Sequence, residues 1–153
     1  MTVIATDGKS LVADRQITEG NLKFESTKLC AMSNGALVGV AGDAADFQKV
    51  WDWYEQHLED PDVAFPEDIS EETEALVLYP HGSITVIDHN GAEIDVERRF
   101  HAIGSGGAIA LGVLALGLDA RSAVATAMKL DIYSGMGIDE ARIPATGQDP
   151  ELI

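Results

Sequence analysis

Residues 2–15, TVIATDGKSLVADR, carry the reading that decides the fold. Small and β-branched residues run on both sides of Asp7-Gly8, a tight-turn dipeptide, so Thr2 to Ala5 and Lys9 to Ala13 are expected to pair as a hairpin. Residues 28–41, KLCAMSNGALVGVA, repeat the pattern, with Lys28 to Met32 and Ala36 to Ala41 flanking Ser33-Asn34-Gly35. Between the two hairpins, Ile17 to Thr27 contains Gly20 and Asn21 and little periodicity, and is read as a loop or a bent strand.

The period then changes. From Asp43 to Leu58, the residues Ala44, Phe47, Val50, Trp51, Tyr54 and Leu58 recur at spacings of three and four, an amphipathic helix with Asp43 as its cap. Trp51 and Tyr54 fall on the core stripe and Trp53 is expected to point outward, where it raises the prospect of a subunit contact. Residues 59–74 hold eight Asp or Glu and two prolines. Like-charge runs of this kind are usually solvated loops, with an acidic docking surface as the alternative. A second strand group follows, with Ala75 to Tyr79, Ser83 to Asp88, Ala92 to Val96 and Phe100 to Ile103. Two helical segments come after it, one running to Leu118 and one over Ala120 to Leu130 capped by Asp119. Strands, one helix, strands and two helices without regular alternation indicate an α+β layered fold, read as one domain over residues 1–153, and disfavour a doubly wound parallel sheet.

Composition excludes several classes of function. Against 10 basic residues stand 26 acidic ones, for a formal net charge of −16. Such a chain has no basic stripe to neutralise phosphates, so neither a nucleic acid nor an anionic membrane is an expected partner. Cys30 is the single cysteine, which excludes an internal disulfide framework and a paired-cysteine metal site. It is read as a small buried apolar group. His57, His81, His89 and His101 never adopt the spacing of a helical zinc site. With no long apolar segment and no charged-then-apolar leader, the chain is expected in the cytoplasm.

Four short segments could carry chemistry. Met1-Thr2 is a start from which methionine can be removed, leaving a threonine whose hydroxyl is a nucleophile and whose own amine is the adjacent base. An α-amino group with a pKa of about 8 exchanges protons near neutral pH. Met-Thr starts are nevertheless common, and a retained Met1 would block the amine and leave Thr2 an ordinary side chain. Asp14 closes one expected strand and Lys28 opens another. Either could be an ordinary surface residue, but beside an N-terminal hydroxyl the two would tune its proton affinity. Val40-Ala41-Gly42-Asp43 and Ile103-Gly104-Ser105-Gly106-Gly107 both fall at strand-to-helix junctions, where backbone N–H groups can form an oxyanion hole. As a phosphate cradle the second segment matches neither a dinucleotide fingerprint nor a P-loop.

Taken in order, Thr2, Val-Ala-Asp14-Arg, Lys28-Leu, Val-Ala-Gly42-Asp-Ala, Ile-Gly-Ser105-Gly-Gly and Lys-Leu-Asp131-Ile-Tyr-Ser134-Gly resemble a proteasome β-type subunit and its bacterial HslV-like relatives, the N-terminal-nucleophile hydrolases. The resemblance spans roughly residues 2 to 140. It implies a sandwich of two antiparallel sheets between helical layers, here with a reduced helical layer because residues 58–74 stand where the family has a second long helix. It implies peptide-bond hydrolysis without metal or cofactor. Thr2 would be the nucleophile, Asp14 and Lys28 its charged pair, Gly42 the oxyanion donor, and Ser105, Asp131 and Ser134 the network around the threonine amine. Relatives assemble as rings around an inner chamber, so a homo-oligomer is expected, with peptide or unfolded protein as substrate and a separate unfolding ATPase as partner.

Hairpin register decides whether such a site can form. A three-residue loop over Asp7 to Lys9 would set Thr2 opposite Asp14; a two-residue loop would set Met1 there and turn Thr2 to the other face. The rival readings are a catalytically inactive proteasome-like subunit, within a phage particle or accessory complex, and an amidase acting on a small acyl substrate.

Overall fold

The computed structural model describes residues 2–144 and the backbone of residues 151 and 152; the expectations that turn on Met1 lie outside the described residues. In chain order the strands begin with β1 (Ile4–Thr6), β2 (Ser10–Asp14), β3 (Gln16–Glu19), β4 (Leu22–Glu25), β5 (Leu29–Ala31) and β6 (Leu37–Ala41). A short 3-10 turn leads into helix α1 (Phe47–Glu59), followed by β7 (Glu74–Leu78), β8 (Ile84–Ile87), β9 (Glu93–Val96) and β10 (His101–Ile103). Helices α2 (Gly107–Ala115) and α3 (Ala120–Leu130) precede β11 (Ile138–Arg142) and β12 (Glu151–Leu152).

Two five-stranded antiparallel sheets result, ordered β10-β1-β2-β11-β12 and β5-β6-β7-β8-β9. Their facing sides share a core of Ile4, Leu11 and Ala13 against Leu29, Leu37, Leu76 and Leu78. At Gly39 the sheets approach so closely that a Cβ would stand 2.8 Å from the Ile4 Cγ2. On the outer face of the second sheet, α1 buries Phe47, Val50, Trp53 and Tyr54 against Val38, Val40 and Val77. On the outer face of the first, α2 and α3 pack alanines and Val124 onto Val3, Ala5 and Val12. Alternation along each strand produces these layers, because successive residues of β1 and β2 enter opposite cores. The α+β sandwich expected from the sequence is the observed architecture.

Four expectations are corrected. The segment over Ile17 to Thr27 holds a hairpin, β3 and β4 pairing across Gly20-Asn21. The charged strand β11, unforeseen in IDEAR, pairs with β2 from Ile138 opposite Asp14 to Arg142 opposite Ser10. Helix α1 begins at Phe47, since Asp43 instead caps the preceding 3-10 turn by accepting from the Ala45 N–H at 3.0 Å. Trp53 faces inward, because the acidic loop folds back over it. The Phe65 ring meets its indole edge-on at 4.8 Å, and its Nε1 donates to the Val63 carbonyl at 3.4 Å. The loop is irregular, as expected, yet Val63, Phe65 and Ile69 pack onto the core. Trp53→Ala is therefore expected to destabilise the protein by about 3–5 kcal/mol, the range for emptying a buried aromatic site, read as a shift in the denaturant midpoint.

The hairpin register is also neither of the two anticipated. The β1–β2 ladder sets Ile4 opposite Ala13 and Thr6 opposite Leu11, leaving four residues between its ends. Asp7 builds the wider turn, its carboxylate accepting from the Lys9 and Ser10 N–H groups at 3.0 and 2.9 Å. Val3 thus lies beside Asp14, whose N–H donates to the Val3 carbonyl at 3.2 Å.

Candidate active site

Thr2 precedes β1 and Asp14 ends β2, both beyond the last ladder pair. Asp14 is held opposite Ile138 in the β2–β11 ladder, whereas Thr2 precedes β1, so strand alternation does not fix its side chain and the two meet despite the register. Lys28 arrives from the second sheet, where its carbonyl accepts from the Val40 N–H at 3.0 Å. All three are buried, Thr2 at 1% exposure and Asp14 and Lys28 at 0%. The Thr2 hydroxyl donates to Asp14 Oδ1 and accepts from Lys28 Nζ, which also donates to Asp14 Oδ1 at 2.8 Å. Burial pushes the Lys28 ammonium below the usual lysine range, and the Asp14 carboxylate opposes that shift.

Asp14 is held from several sides. Its Oδ1 accepts from the Val3 N–H at 3.1 Å, and its Oδ2 from the N–H groups of Gln16 at 3.2 Å and Gly135 at 3.0 Å. Sequence reading missed these three donors because they are backbone groups, which leave no side-chain signature. The glycine after Ser134 was the only hint.

A second group forms on the carbonyl side of Thr2. Ser105 Oγ donates to Asp131 Oδ2 at 2.7 Å and lies 3.3 Å from the Thr2 carbonyl oxygen. Ser134 Oγ donates to the same Asp131 oxygen at 2.6 Å. Burial works to raise the Asp131 carboxyl, but the Ser134 and Ser105 hydroxyls and the Tyr133 N–H outweigh it and hold the group below the usual carboxylate range. The Gly106 N–H donates to the Thr2 carbonyl at 3.0 Å, fixing the residue from behind.

Gly104 sits at φ +93°, and a Cβ there would collide with the Thr2 carbonyl oxygen. Gly104→Ala is accordingly expected to displace Thr2 and cost about 1–3 kcal/mol or more through the left-handed backbone alone. The checks are thermal unfolding and peptide turnover, both of which should fall.

Gly42 follows β6 at φ +121°, with no room for a side chain, since a Cβ would stand 2.5 Å from the Thr73 Cα. It lines a cleft of about 500 Å3 that also includes Ile17, Glu19, Asp43, Glu72 and Tyr133. Cys30 is half-buried, its thiol pushed up by burial. Among the described residues, no three His, Cys, Asp or Glu side chains converge as metal ligands.

Chemically, the arrangement offers a buried hydroxyl between a cation and a carboxylate. The sequence matches the family described as Proteasome subunit over residues 1–81. No curated protein matches it. Among solved structures, that of Thiobacillus denitrificans BPH is similar, with 20% identity and a TM-score of 0.66 over 94% of this chain and 99% of that one. The structure of the same protein in complex with Epoxomicin is similar with 19% identity and a TM-score of 0.70, covering 95% and 100%. At these identities the likeness is one of fold.

Proposed function

Because the chain belongs to the proteasome-subunit family, matched over residues 1–81, we propose that it is a threonine-type peptidase with Thr2 as nucleophile. The observation that carries this reading is the buried contact of the Thr2 hydroxyl with both Lys28 and Asp14. The similar fold that bears epoxomicin supports it. Removal of Met1 frees the Thr2 amine. That amine takes the hydroxyl proton as Oγ1 attacks the peptide carbonyl carbon, and the positive charge of Lys28 favours the developing alkoxide. The carbonyl oxygen becomes an oxyanion held by the Gly42 N–H. Collapse breaks the C–N bond, the ammonium returns its proton to the leaving amine, and an ester on Thr2 remains. Water, deprotonated by the same amine, hydrolyses that ester. Ser105, Asp131 and Ser134 orient the amine and receive its charge.

In this reading residues 1–153 form one domain that assembles as a homo-oligomer, in a ring as the family resemblance implies. The exposed Leu22, Leu116 and Ile132, at 74%, 81% and 79%, supply apolar contact surface. An unfolding ATPase would deliver substrate to such a ring inside the cell. No described helix is long and apolar enough to cross a membrane. Turnover of fluorogenic peptides by the wild type, against none by a Thr2 variant, tests the peptidase reading. An intact chain that turns over no peptide would favour an inactive subunit, and turnover of small acyl amides alone would favour an amidase.

A further inference from the structure

Gln16 opens β3 two residues past Asp14 and is buried, at 5% exposure. Its N–H donates to Asp14 Oδ2 at 3.2 Å, the oxygen that also accepts from the Gly135 N–H. Its side-chain amide turns instead to the arc over residues 132–135. There Nε2 donates to the Ile132 carbonyl at 3.3 Å, and it donates as well to the Thr18 hydroxyl at 3.1 Å. Oε1 lies against Gly135, where an added Cβ would stand 2.8 Å from it. Between these two contacts the arc carries Ser134, whose Oγ donates to Asp131. Apolar packing holds the arc poorly, since the Ile132 and Tyr133 side chains are exposed.

Gln16 thus touches both groups around Thr2, the Asp14–Lys28 pair through its backbone and the Asp131–Ser134 group through its side chain. We propose that Gln16 is a positioning residue that sets the spacing between these two groups. The inference rests on the peptidase reading and deepens it by naming the residue that aligns the hydroxyl side of Thr2 with the amine side. Proton transfer from the one to the other needs both groups in place at once, and a small displacement of either slows it. Substitution of the side chain leaves the Gln16 N–H on Asp14 and releases only the arc. Methionine matches the length of the side chain but makes neither hydrogen bond. Glutamate keeps the shape, and can donate to the Ile132 carbonyl only when its carboxyl is protonated.

Gln16→Met should lower kcat for fluorogenic peptides about tenfold and leave KM within about twofold, because Gln16 is buried and presents no surface to a peptide. Gln16→Glu should be at least as impaired at pH 8 and should recover relative to the wild type as the pH falls. Burial and the nearby Asp14 carboxylate place that recovery above the ordinary glutamate value of about 4.3. The Gln16→Met ratio should stay flat over the same range. Hydrogen exchange followed by mass spectrometry reports on the arc without catalysis. In Gln16→Met, residues 131–137 should exchange severalfold faster while β1, β2 and α1 keep wild-type rates. Wild-type kcat in Gln16→Met, a flat Gln16→Glu ratio, or faster exchange spread evenly over the chain overturns the assignment and leaves the peptidase reading standing. Faster exchange confined to the arc, in a protein whose wild type turns over no peptide, supports the tether and sinks the peptidase instead.

Discussion

Thr2→Ala should lower kcat/KM for peptide substrates by at least about 10³-fold, because no other group can form the acyl intermediate once the hydroxyl is gone. The fold should survive. Lys28 and Asp14 still pair at 2.8 Å without the hydroxyl, so the loss is that of hydrogen bonds to charged groups, about 1–3 kcal/mol. Thr2→Ser keeps both hydroxyl and amine and should retain measurable turnover. If Thr2→Ala hydrolysed peptides as the wild type does, the nucleophile would lie elsewhere. Circular dichroism and unfolding midpoints on the same samples separate loss of chemistry from loss of fold.

Lys28→Met has the larger effect on stability. Lys28 and Asp14 are both fully buried, so removing the cation strands a carboxylate that only the Thr2 hydroxyl and backbone N–H groups then stabilise. Breaking a buried pair from one side costs about 3–5 kcal/mol. Lys28→Met with Asp14→Asn removes both charges and should cost less than the sum of the single changes, the excess in the cycle measuring their coupling. Both variants should be inactive. A pH signature accompanies them. Burial lowers the folded-state value of Lys28, so between that value and the unfolded one the unfolded chain binds more protons. Wild-type stability should therefore rise with pH through that alkaline window, relative to the doubly substituted protein. An opposite slope would mean that Asp14 outweighs burial.

Much of the fold was legible because two signals were strong. Turn dipeptides between small and β-branched runs marked both early hairpins, and three-to-four spacing marked α1 and α3. What escaped depended on partners distant in sequence. IDEAR looks like a surface segment, yet Glu140 is buried, flanked by Arg121 at 3.4 Å and Arg142 at 2.9 Å. Trp53 read as outward because helical periodicity cannot foresee a loop closing over a helix. The site showed the same division. Thr2, Asp14 and Lys28 were nameable as side chains, as were Ser105, Asp131 and Ser134, and each group converges in space. The register argument failed because it extended strand alternation to Thr2, which lies before the first β1–β2 pair and is placed by the Gly106 N–H instead. The backbone donors to Asp14 required coordinates.

Every step ascribed to this site needs a free amine on the residue that bears the hydroxyl. The intact mass of a preparation that is hydrolysing peptides addresses this directly. The expected species begins at Thr2, lighter than the translated chain by one methionine. A preparation of full turnover in which every molecule still carries Met1 would contradict the account.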